Sequence, residues 1–183
     1  MFPSSSACRP TRRFHGLAAA ALALGVGACG APEPLEVGVE QAALVAPGSV
    51  EGWGAMLRVR LRLDNRGDAP VHVFTDLLQV VGEAGGRGTV RGFRDGYRLN
   101  LARSGHEQRR RLEAALAGVG IAGDDVRRIG GPQIEIPAGQ SIEITLPFLL
   151  GEGRPDDRYA MDFSYHDDAN DRITRLSLRV RAR

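Results

Sequence analysis

The chain has two cysteines among its 183 residues, Cys8 and Cys29, and none after residue 29. A disulfide-stapled scaffold, a cysteine-ligated zinc site and a cysteine nucleophile all need thiols. The sequence beyond residue 29 excludes all three. We therefore expect the hydrophobic core alone to hold the domain together.

Lysine is absent as well, because all 24 basic residues are arginine. Three of these, Arg9, Arg12 and Arg13, precede residue 29, whereas no acidic residue does. Residues 29–183 thus carry 21 arginines against 22 aspartates and glutamates, a net charge of −1. Nucleic-acid-binding domains usually carry a strongly basic balance. The near-neutral charge argues against a nucleic-acid partner.

Motifs of the common catalytic and phosphate-binding classes are missing too. There is no Gly-x-Ser-x-Gly, and the glycine-rich stretch 82–96 lacks the Gly-Lys-Ser/Thr of a phosphate-binding loop. The sequence predicts no cofactor and no catalytic residue, so we expect a protein that is not an enzyme. A serine, histidine and aspartate that meet only in space leave an uncharacterised hydrolase as an open alternative.

What is present begins with the N-terminal segment. A basic start is followed, from Leu17 to about Ala28, by about 12 mostly apolar residues. That length is too short for a membrane span of roughly 20 residues and is typical of a signal peptide. The segment ends in Val26-Gly-Ala-Cys29, which resembles the lipobox of bacterial prolipoproteins.

The lipobox resemblance implies cleavage before Cys29, diacylation of its sulfur by palmitate-type chains, and stable membrane attachment. Gly30 after the cysteine, where inner-membrane retention uses aspartate, implies the outer membrane, with the domain facing the periplasm. A plain secretory signal with an incidental cysteine is the alternative. We divide the chain into a signal peptide (1–28), a tether (29–34) stiffened by Pro32 and Pro34, and one domain (35–183).

Alternating hydrophobic residues dominate this domain. In residues 57–63 every second residue is Leu or Val, and the residues between them are arginines. A period of two indicates a strand. Further strands are predicted over 35–45, 71–74, 77–81, 134–136, 142–148, 159–165 and 173–180. About seven to eight short strands separated by turns indicate an all-β, immunoglobulin-like β-sandwich.

One segment departs from the strand period. Ser104 and Glu107 fit a capping box, and Leu112, Leu116 and Val119 lie on an apolar stripe. We therefore predict one inserted helix over about 104–120. Its leucines are expected to cap the domain's own core, and docking onto a partner is the alternative. The stretch 82–96 before it, with six glycines, is predicted to be a long mobile connection.

Two runs resemble bacterial late-embryogenesis-abundant-like lipoproteins of the water-stress and hypersensitive-response type. Residues 61–71 match the family's strand–turn–strand, and residues 136–147 match its Pro-Ala-Gly followed by an alternating strand. Arg66 stands where the family has proline, and the glycine-rich stretch and the helix are additions. The resemblance implies an immunoglobulin-like fold in an extracytoplasmic setting and no catalytic residue.

Arginines cluster on the polar sides of two strands, Arg58, Arg60 and Arg62 on one and Arg179 and Arg181 on the last. If these strands were neighbours, a strip of guanidinium groups would bind an anionic partner, because the planar fork of arginine suits phosphate and carboxylate. The alternative is a solvated face with cross-strand pairs to acids such as Glu143.

Residues 166–171 form an acidic hairpin tip. The oxygen-bearing side chains of Asp167, Asp168, Asn170 and Asp171 are the ligand type that calcium takes. A calcium- or small-ligand-binding lipoprotein that uses this hairpin is therefore an alternative function. The EF-hand spacing is absent, and aspartate and asparagine also favour turns, so our leading prediction is that the chain holds no metal.

The sequence as a whole predicts a membrane-anchored envelope lipoprotein that acts as a non-enzymatic binding or structural module. Its expected partners are the membrane, through Cys29, and another envelope protein or an anionic glycan. Trp53, the only tryptophan, is expected to plug the core at the start of a strand, with an exposed contact role as the alternative.

Overall fold

The computed structural model describes residues 33–50, 53–151 and 157–183. These residues form nine strands, three α-helices and one short 3-10 helix. The strands are β1 (Leu35–Val45), β2 (Met56–Asn65), β3 (Val71–Phe74), β4 (Gln79–Gly82), β5 (Arg87–Thr89), β6 (Gln133–Ile136), β7 (Ser141–Leu150), β8 (Arg158–Asp167) and β9 (Arg172–Arg181). The helices are α1 (Val90–Arg103), α2 (His106–Gly118) and α3 (Gly123–Arg128), and the 3-10 helix is Thr75–Leu77.

The predicted signal peptide, the lipidation site Cys29 and all of the tether except its last two residues lie outside the described residues. β1 begins at Leu35, where the first strand was predicted. Within the described ranges, no helix combines the length and the apolar character that a membrane crossing requires.

The strands belong to one open antiparallel sheet that folds into a sandwich, so the predicted all-β sandwich class is confirmed. The order runs β1, β2, β7, β5, β4, β8, with β9 on the other edge of β8. β3 pairs with the same edge of β8 as β4 does, nearer the end of β8, and β6 pairs with the other edge of β3. The first and last strands of this order, β1 and β9, are in contact at one end, because the N–H of Arg183 just after β9 donates to the C=O of Ala42 on β1 at 3.1 Å.

Side-chain alternation places the core as predicted. Leu57, Val59, Leu61 and Leu63 of β2 are fully buried, and their cross-strand partners on β7 include the buried Leu146. The same period on β8 buries its aromatic and methionine side chains. Burying each such side chain is worth roughly 1.5–3 kcal/mol. A core of this size is consistent with a domain that has no disulfide.

The helical insertion is larger than predicted. α2 coincides with the predicted helix, but α1 precedes it and α3 follows it. The stretch 82–96, predicted to be a mobile connection, instead holds the β4–β5 hairpin and the first half of α1. The Oγ1 of Thr89 accepts the N–H of Gly92 at 3.0 Å and caps α1. This cap offsets the low helix propensity of the glycines that misled the prediction.

The predicted capping box is wrong. Ser104 ends α1, and its hydroxyl donates to the C=O of Asn100 at 2.6 Å. α2 begins after Gly105 without a side-chain cap, and Glu107 pairs with Arg111 one turn later at 2.5 Å. Two helices follow each other so closely that the polar residues between them read as the start of one helix.

The helices form an extra layer over the outer face of the sheet. Thr145 and Pro147 of β7 share that face with the arginines of β2, their cross-strand partners, yet both are buried. α1 packs against β7 and supplies the fully buried Phe93. Trp53 meets the Phe93 ring edge-on, with centroids 4.7 Å apart, so its predicted role as a core plug is confirmed.

α2 completes this layer. Leu116 is 1% exposed and Leu112 packs partly against the same core. The prediction that the leucines of the inserted helix cover the domain's own core is therefore confirmed.

The turn after β2 is held by the buried side chain of Asn65. Its Nδ2 donates to the C=O groups of Ala69 and Ile136, both at 2.9 Å, and its Oδ1 accepts the N–H of Gly67 at 2.9 Å. Only glycine fits at position 67, because a Cβ there would lie 2.8 Å from the Cβ of Pro34. This turn joins the start of β1, the end of β2 and the end of β6.

Candidate functional site

The two arginine rows do not form one strip. β2 pairs with β1 and β7, whereas β9 pairs with β8. β1 therefore stands between the β2 row and the β9 row, and the condition for a single guanidinium strip is not met. The spacing of the arginines along the sequence placed each row on one strand, but it carried no information about which strands are neighbours.

Each arginine of the β2 row has a partner. Arg58 donates to the carbonyl that follows α2 at 2.6 Å, Arg60 pairs with Glu143 on β7, and Arg62 pairs with Asp64 at 3.1 Å. The hydrogen bonds to these carboxylates raise the pKa of Arg60 and Arg62 above the usual value. The cross-strand pairing that we considered as the alternative accounts for Arg60, whereas Arg62 pairs within its own strand and Arg58 bonds to the backbone.

The β9 row lies beside a further arginine. Arg181 stands directly opposite Arg158 of β8, and Arg179 lies two residues along on the same strand. Like charges directly opposite each other are destabilising, and Glu83 approaches Arg158 at 3.7 Å. These three arginines border a shallow groove of about 670 Å³ across β4, β8 and β9. We call Arg158, Arg179 and Arg181 the arginine patch.

The acidic hairpin between β8 and β9 uses its central carboxylate within the protein. Asp167 is 3% exposed, and it accepts the N–H of Ala169 at 3.0 Å and the side-chain amide of Asn170 at 2.6 Å. Such bonds close an Asx-type turn. Asp171 has a φ of 46°, a left-handed conformation that aspartate tolerates. The hairpin residues therefore act first as turn residues.

Two histidines engage the remaining carboxylates of the hairpin. His72 on β3 is the cross-strand partner of His166 on β8. The oxygens of Asp168 lie 3.0 Å from Nε2 of His72 and 2.9 Å from Nδ1 of His166. Asp171 lies 3.0 Å from the other ring nitrogen of His166. We call these four side chains the histidine–aspartate chain.

Hydrogen bonds shift the pKa values of two side chains in the histidine–aspartate chain. The bonds to Asp171 and then Asp168 raise the pKa of His166, and the bond to His72 lowers the pKa of Asp168. Sequence reasoning placed His166 and the aspartates together but missed His72. The pairing of β3 with β8 brings it there, and only the strand alternation around His72 hinted that it lies on a sheet face.

In the part of the chain that the structure describes, neither the metal-binding alternative nor the hydrolase alternative is supported by a preformed site. No group of three or more His, Cys, Asp or Glu side chains there is arranged to hold a metal ion. His72 and His166 bond to aspartates and not to a serine. The calcium-binding alternative remains a prediction, and a calorimetric calcium titration without heat would remove it.

A groove of about 760 Å³ opens between β1 and β9. Apolar side chains of both strands line it: Leu35 and Val37 from β1, and Leu176 and Leu178 from β9. We call it the seam groove. The alternation of each strand indicated these apolar positions, but nothing in the sequence indicated that the two strands face each other.

Acidic residues dominate the rim of the seam groove. Glu33, Glu36 and Asp68 line it together with Arg66, which forms an ion pair with Glu36. Glu33 and Pro34, the last residues of the predicted tether, also belong to the lining. The groove therefore sits at the end of the domain where the chain enters.

Comparison with known proteins adds no functional information. No family model and no curated protein matches the chain. A solved structure from Bordetella pertussis, described as the ApaA protein, is 13% identical; the match covers 81% of this chain and 93% of that chain, with a TM-score of 0.37. A similarity this weak carries no argument.

Proposed function

We propose that the protein is a lipid-anchored lipoprotein of the bacterial envelope and a non-enzymatic binding module that faces the periplasm from the outer membrane. The observation that carries the proposal is Val26-Gly-Ala-Cys29 at the end of a basic and then apolar segment. β1 begins at Leu35, six residues after Cys29. Because an extended chain spans at most about 3.5 Å per residue, the anchor would hold the domain within about 20 Å of the lipid surface.

The anchor is tested by replacing Cys29. In the native host, a Cys29→Ala chain is expected to leave the membrane fraction or to stay as uncleaved precursor, and to lose incorporation of a palmitate analogue. Cys8→Ala is the matched control, because Cys8 precedes the cleavage site, and it should change neither property. A Cys29→Ala protein that is still processed and membrane-bound would defeat the lipoprotein hypothesis.

Two surfaces support binding as the molecular role. The seam groove is open and apolar at its floor, and the arginine patch keeps three cations on adjacent strands. Affinity purification of the full-length, lipidated chain from detergent-solubilised membranes tests this role. Recovery of the same envelope component across several detergents is expected. Recovery of the bait alone would count against a stable partner.

The arginine patch favours an anionic glycan as a second candidate partner. Arg158 and Arg181 directly oppose each other, and an anion between them would relieve their repulsion. Purified lipopolysaccharide is a suitable probe. Binding is expected to weaken as salt rises, because exposed charges are screened, and to weaken in the Arg179→Gln, Arg181→Gln protein. Arg175→Gln, on the same strand but outside the patch, is the control and should bind normally.

A further inference from the structure

Seven strands follow one another around the sandwich, from β1 through β2, β7, β5, β4 and β8 to β9. Each neighbouring pair is antiparallel, so strand direction alternates along the series. Because seven is odd, β9 runs in the same direction as β1. The contacts agree, since Ala42 meets Arg183 near the ends of both strands. Within this series of described strands, the β1–β9 seam is the joint that cannot be antiparallel.

β1 directs at this seam backbone groups that have no strand partner among the described residues. The N–H of Arg66 donates to the C=O of Pro34 at 2.7 Å, which shows that Pro34 points toward β2. Backbone groups of successive residues in a strand point in alternate directions. The N–H and C=O groups of Leu35, Val37 and Val39 therefore point toward the seam.

β9 also directs backbone groups toward the seam, from the opposite side. The N–H of Ala182 donates to the C=O of Asp157 at 2.8 Å, so Ala182 points toward β8. By the same alternation, the backbone groups of Ser177, Arg179 and Arg183 point toward the seam. Among the described residues, the bond from Arg183 is the backbone hydrogen bond that crosses to β1. Toward the starts of both strands the seam groove lies between the two edges, where Leu35 and Val37 face Leu176 and Leu178.

The groove combines these edges with an amphipathic lining. Leu35 and Leu178 lie at its floor and are almost fully buried, and Val37 and Leu176 beside them are half-buried. The acidic rim stands above this floor. An occupant therefore meets apolar surface on one side and carboxylates at the mouth. On both flanks it meets N–H and C=O groups that have no backbone partner within residues 33–50, 53–151 and 157–183.

We propose that the seam groove binds an extended polypeptide segment of an envelope partner, which adds as a strand between β1 and β9. A strand running opposite to both edges would pair with each in the antiparallel mode and restore alternation around the ring. Its apolar side chains would face the floor, and basic side chains would meet the rim. The inference rests on the proposed binding function and names its site, but it does not depend on the lipid anchor.

The backbone edges favour a polypeptide over an acyl chain or a glycan. Unpaired backbone groups in an apolar setting are costly, and only another extended backbone offers donors and acceptors at the same spacing on both flanks. An acyl chain would cover the floor and leave those groups unpaired. A glycan would not match the apolar floor.

The test uses the purified full-length chain in detergent and synthetic decapeptides as probes. One peptide alternates valine with arginine, a second alternates valine with glutamate, and a third is the Val/Arg peptide with alternate amides N-methylated. We expect the Val/Arg peptide to bind roughly tenfold more tightly than the Val/Glu peptide, because of the acidic rim, and N-methylation to abolish binding. Amide hydrogen exchange should slow at Val37, Val39 and Ser177 when the Val/Arg peptide is added.

A protein variant supplies a second readout. Val37→Arg places a cation at the groove floor and is expected to weaken Val/Arg peptide binding at least about tenfold, because burying an unpaired charge is unfavourable. Gln41→Arg, an exposed position further along β1 and outside the groove lining, is the matched control and should bind as the parent does. The N-methylated peptide leaves the protein unchanged, so the test does not depend on the variant's stability.

Several outcomes would overturn the inference: no binding of either peptide, equal binding of the N-methylated peptide, or unchanged exchange at Val37 and Ser177. Displacement of the peptide by a fluorescent twelve-carbon fatty acid that itself shields no amide would assign the groove to an acyl chain. Self-association that buries the seam would assign it to a second copy. If membranes yield a partner while the peptides fail, the groove assignment alone falls; if both fail, the binding function falls with it.

Discussion

His72 and His166 stand directly opposite each other on β3 and β8, and both imidazoles hydrogen-bond to the single carboxylate of Asp168. His166 also bonds to Asp171. Asp168 is thereby tied to both β3 and β8, and Asp171 is tied to β8, through contacts with imidazole rings. The stability of this corner of the sandwich should follow pH.

The raised pKa of His166 makes the folded state bind a proton more tightly than the unfolded chain does. This contribution is complete below the ordinary histidine pKa and is lost as pH rises through the raised value. The lowered pKa of Asp168 has the opposite sense, and its contribution is lost as pH falls below the ordinary aspartate range. The network therefore stabilises the fold most between these two limits.

Urea unfolding from pH 4 to pH 9 should show stability declining above about pH 6.5, with a smaller decline in His166→Gln. His106→Gln, at the first position of α2, should follow the parent curve; identical curves for His166→Gln and the parent would contradict the prediction.

Asn65 links three strand ends through its side-chain amide. Asn65→Ala should lower the free energy of unfolding by about 2 kcal/mol, because it leaves buried carbonyl groups without donors. Chemical denaturation of the purified protein measures this. Gln108→Ala removes an exposed side-chain amide on α2 and should cost clearly less. Equal effects of the two substitutions would mean that the buried bonds of Asn65 carry no special weight.

Arg94 ties the helical layer to the sheet. Its guanidinium donates to the C=O of Gly131 at 2.8 Å and to the hydroxyl of Thr75 at 3.2 Å, and it pairs with Asp76. Arg94→Met should lower the free energy of unfolding by about 2–3 kcal/mol, since buried acceptors lose a charged donor. Arg91→Met on the same helix breaks an exposed pair and should cost less than about 1 kcal/mol. A loss below that bound for Arg94→Met would show that the buried network is replaceable by water.

Leu116 tests whether the insertion belongs to this domain's core. Leu116 is 1% exposed, so Leu116→Ala should cost about 3 kcal/mol through the cavity it leaves. Leu99→Ala, at a side chain 58% exposed, should change stability by less than about 0.5 kcal/mol. Thermal unfolding followed by circular dichroism compares the two. A neutral Leu116→Ala would mean that α2 is held by something other than the sandwich.

Strands were predicted well because their signal is local. The alternation over β2, β7, β8 and β9 predicts which side chains face the core, and the structure buries them, except that Ile142 and Leu176 are half-buried. The helical insertion was predicted less well. The glycines of 82–96 suggested a mobile connection, whereas the cap from Thr89 and the packing of Phe93 make a helix of the second half. Propensity is a weak prior that tertiary packing overrides.

The candidate sites divide in the same way. The positions of Arg58, Arg179 and Asp167 on strands and turns followed from spacing, but their partners did not. Arg58 meets a helix end, Arg179 joins Arg158 on the next strand, and Asp167 turns inward to close its own loop. A residue's neighbours across a sheet depend on strand order, and strand order depends on which apolar faces bury each other.

The sequence by itself determined the strand faces, the absence of thiols beyond residue 29, and the run that predicts a lipid anchor, because each is a matter of residue type and short spacing. Only the tertiary structure decided that His72 meets His166, that β1 separates the arginine rows, and that β1 and β9 leave an open seam. These depend on the order and number of strands around the sandwich. An odd series of antiparallel strands leaves its two ends running in the same direction, so the joint between them cannot close in the antiparallel mode.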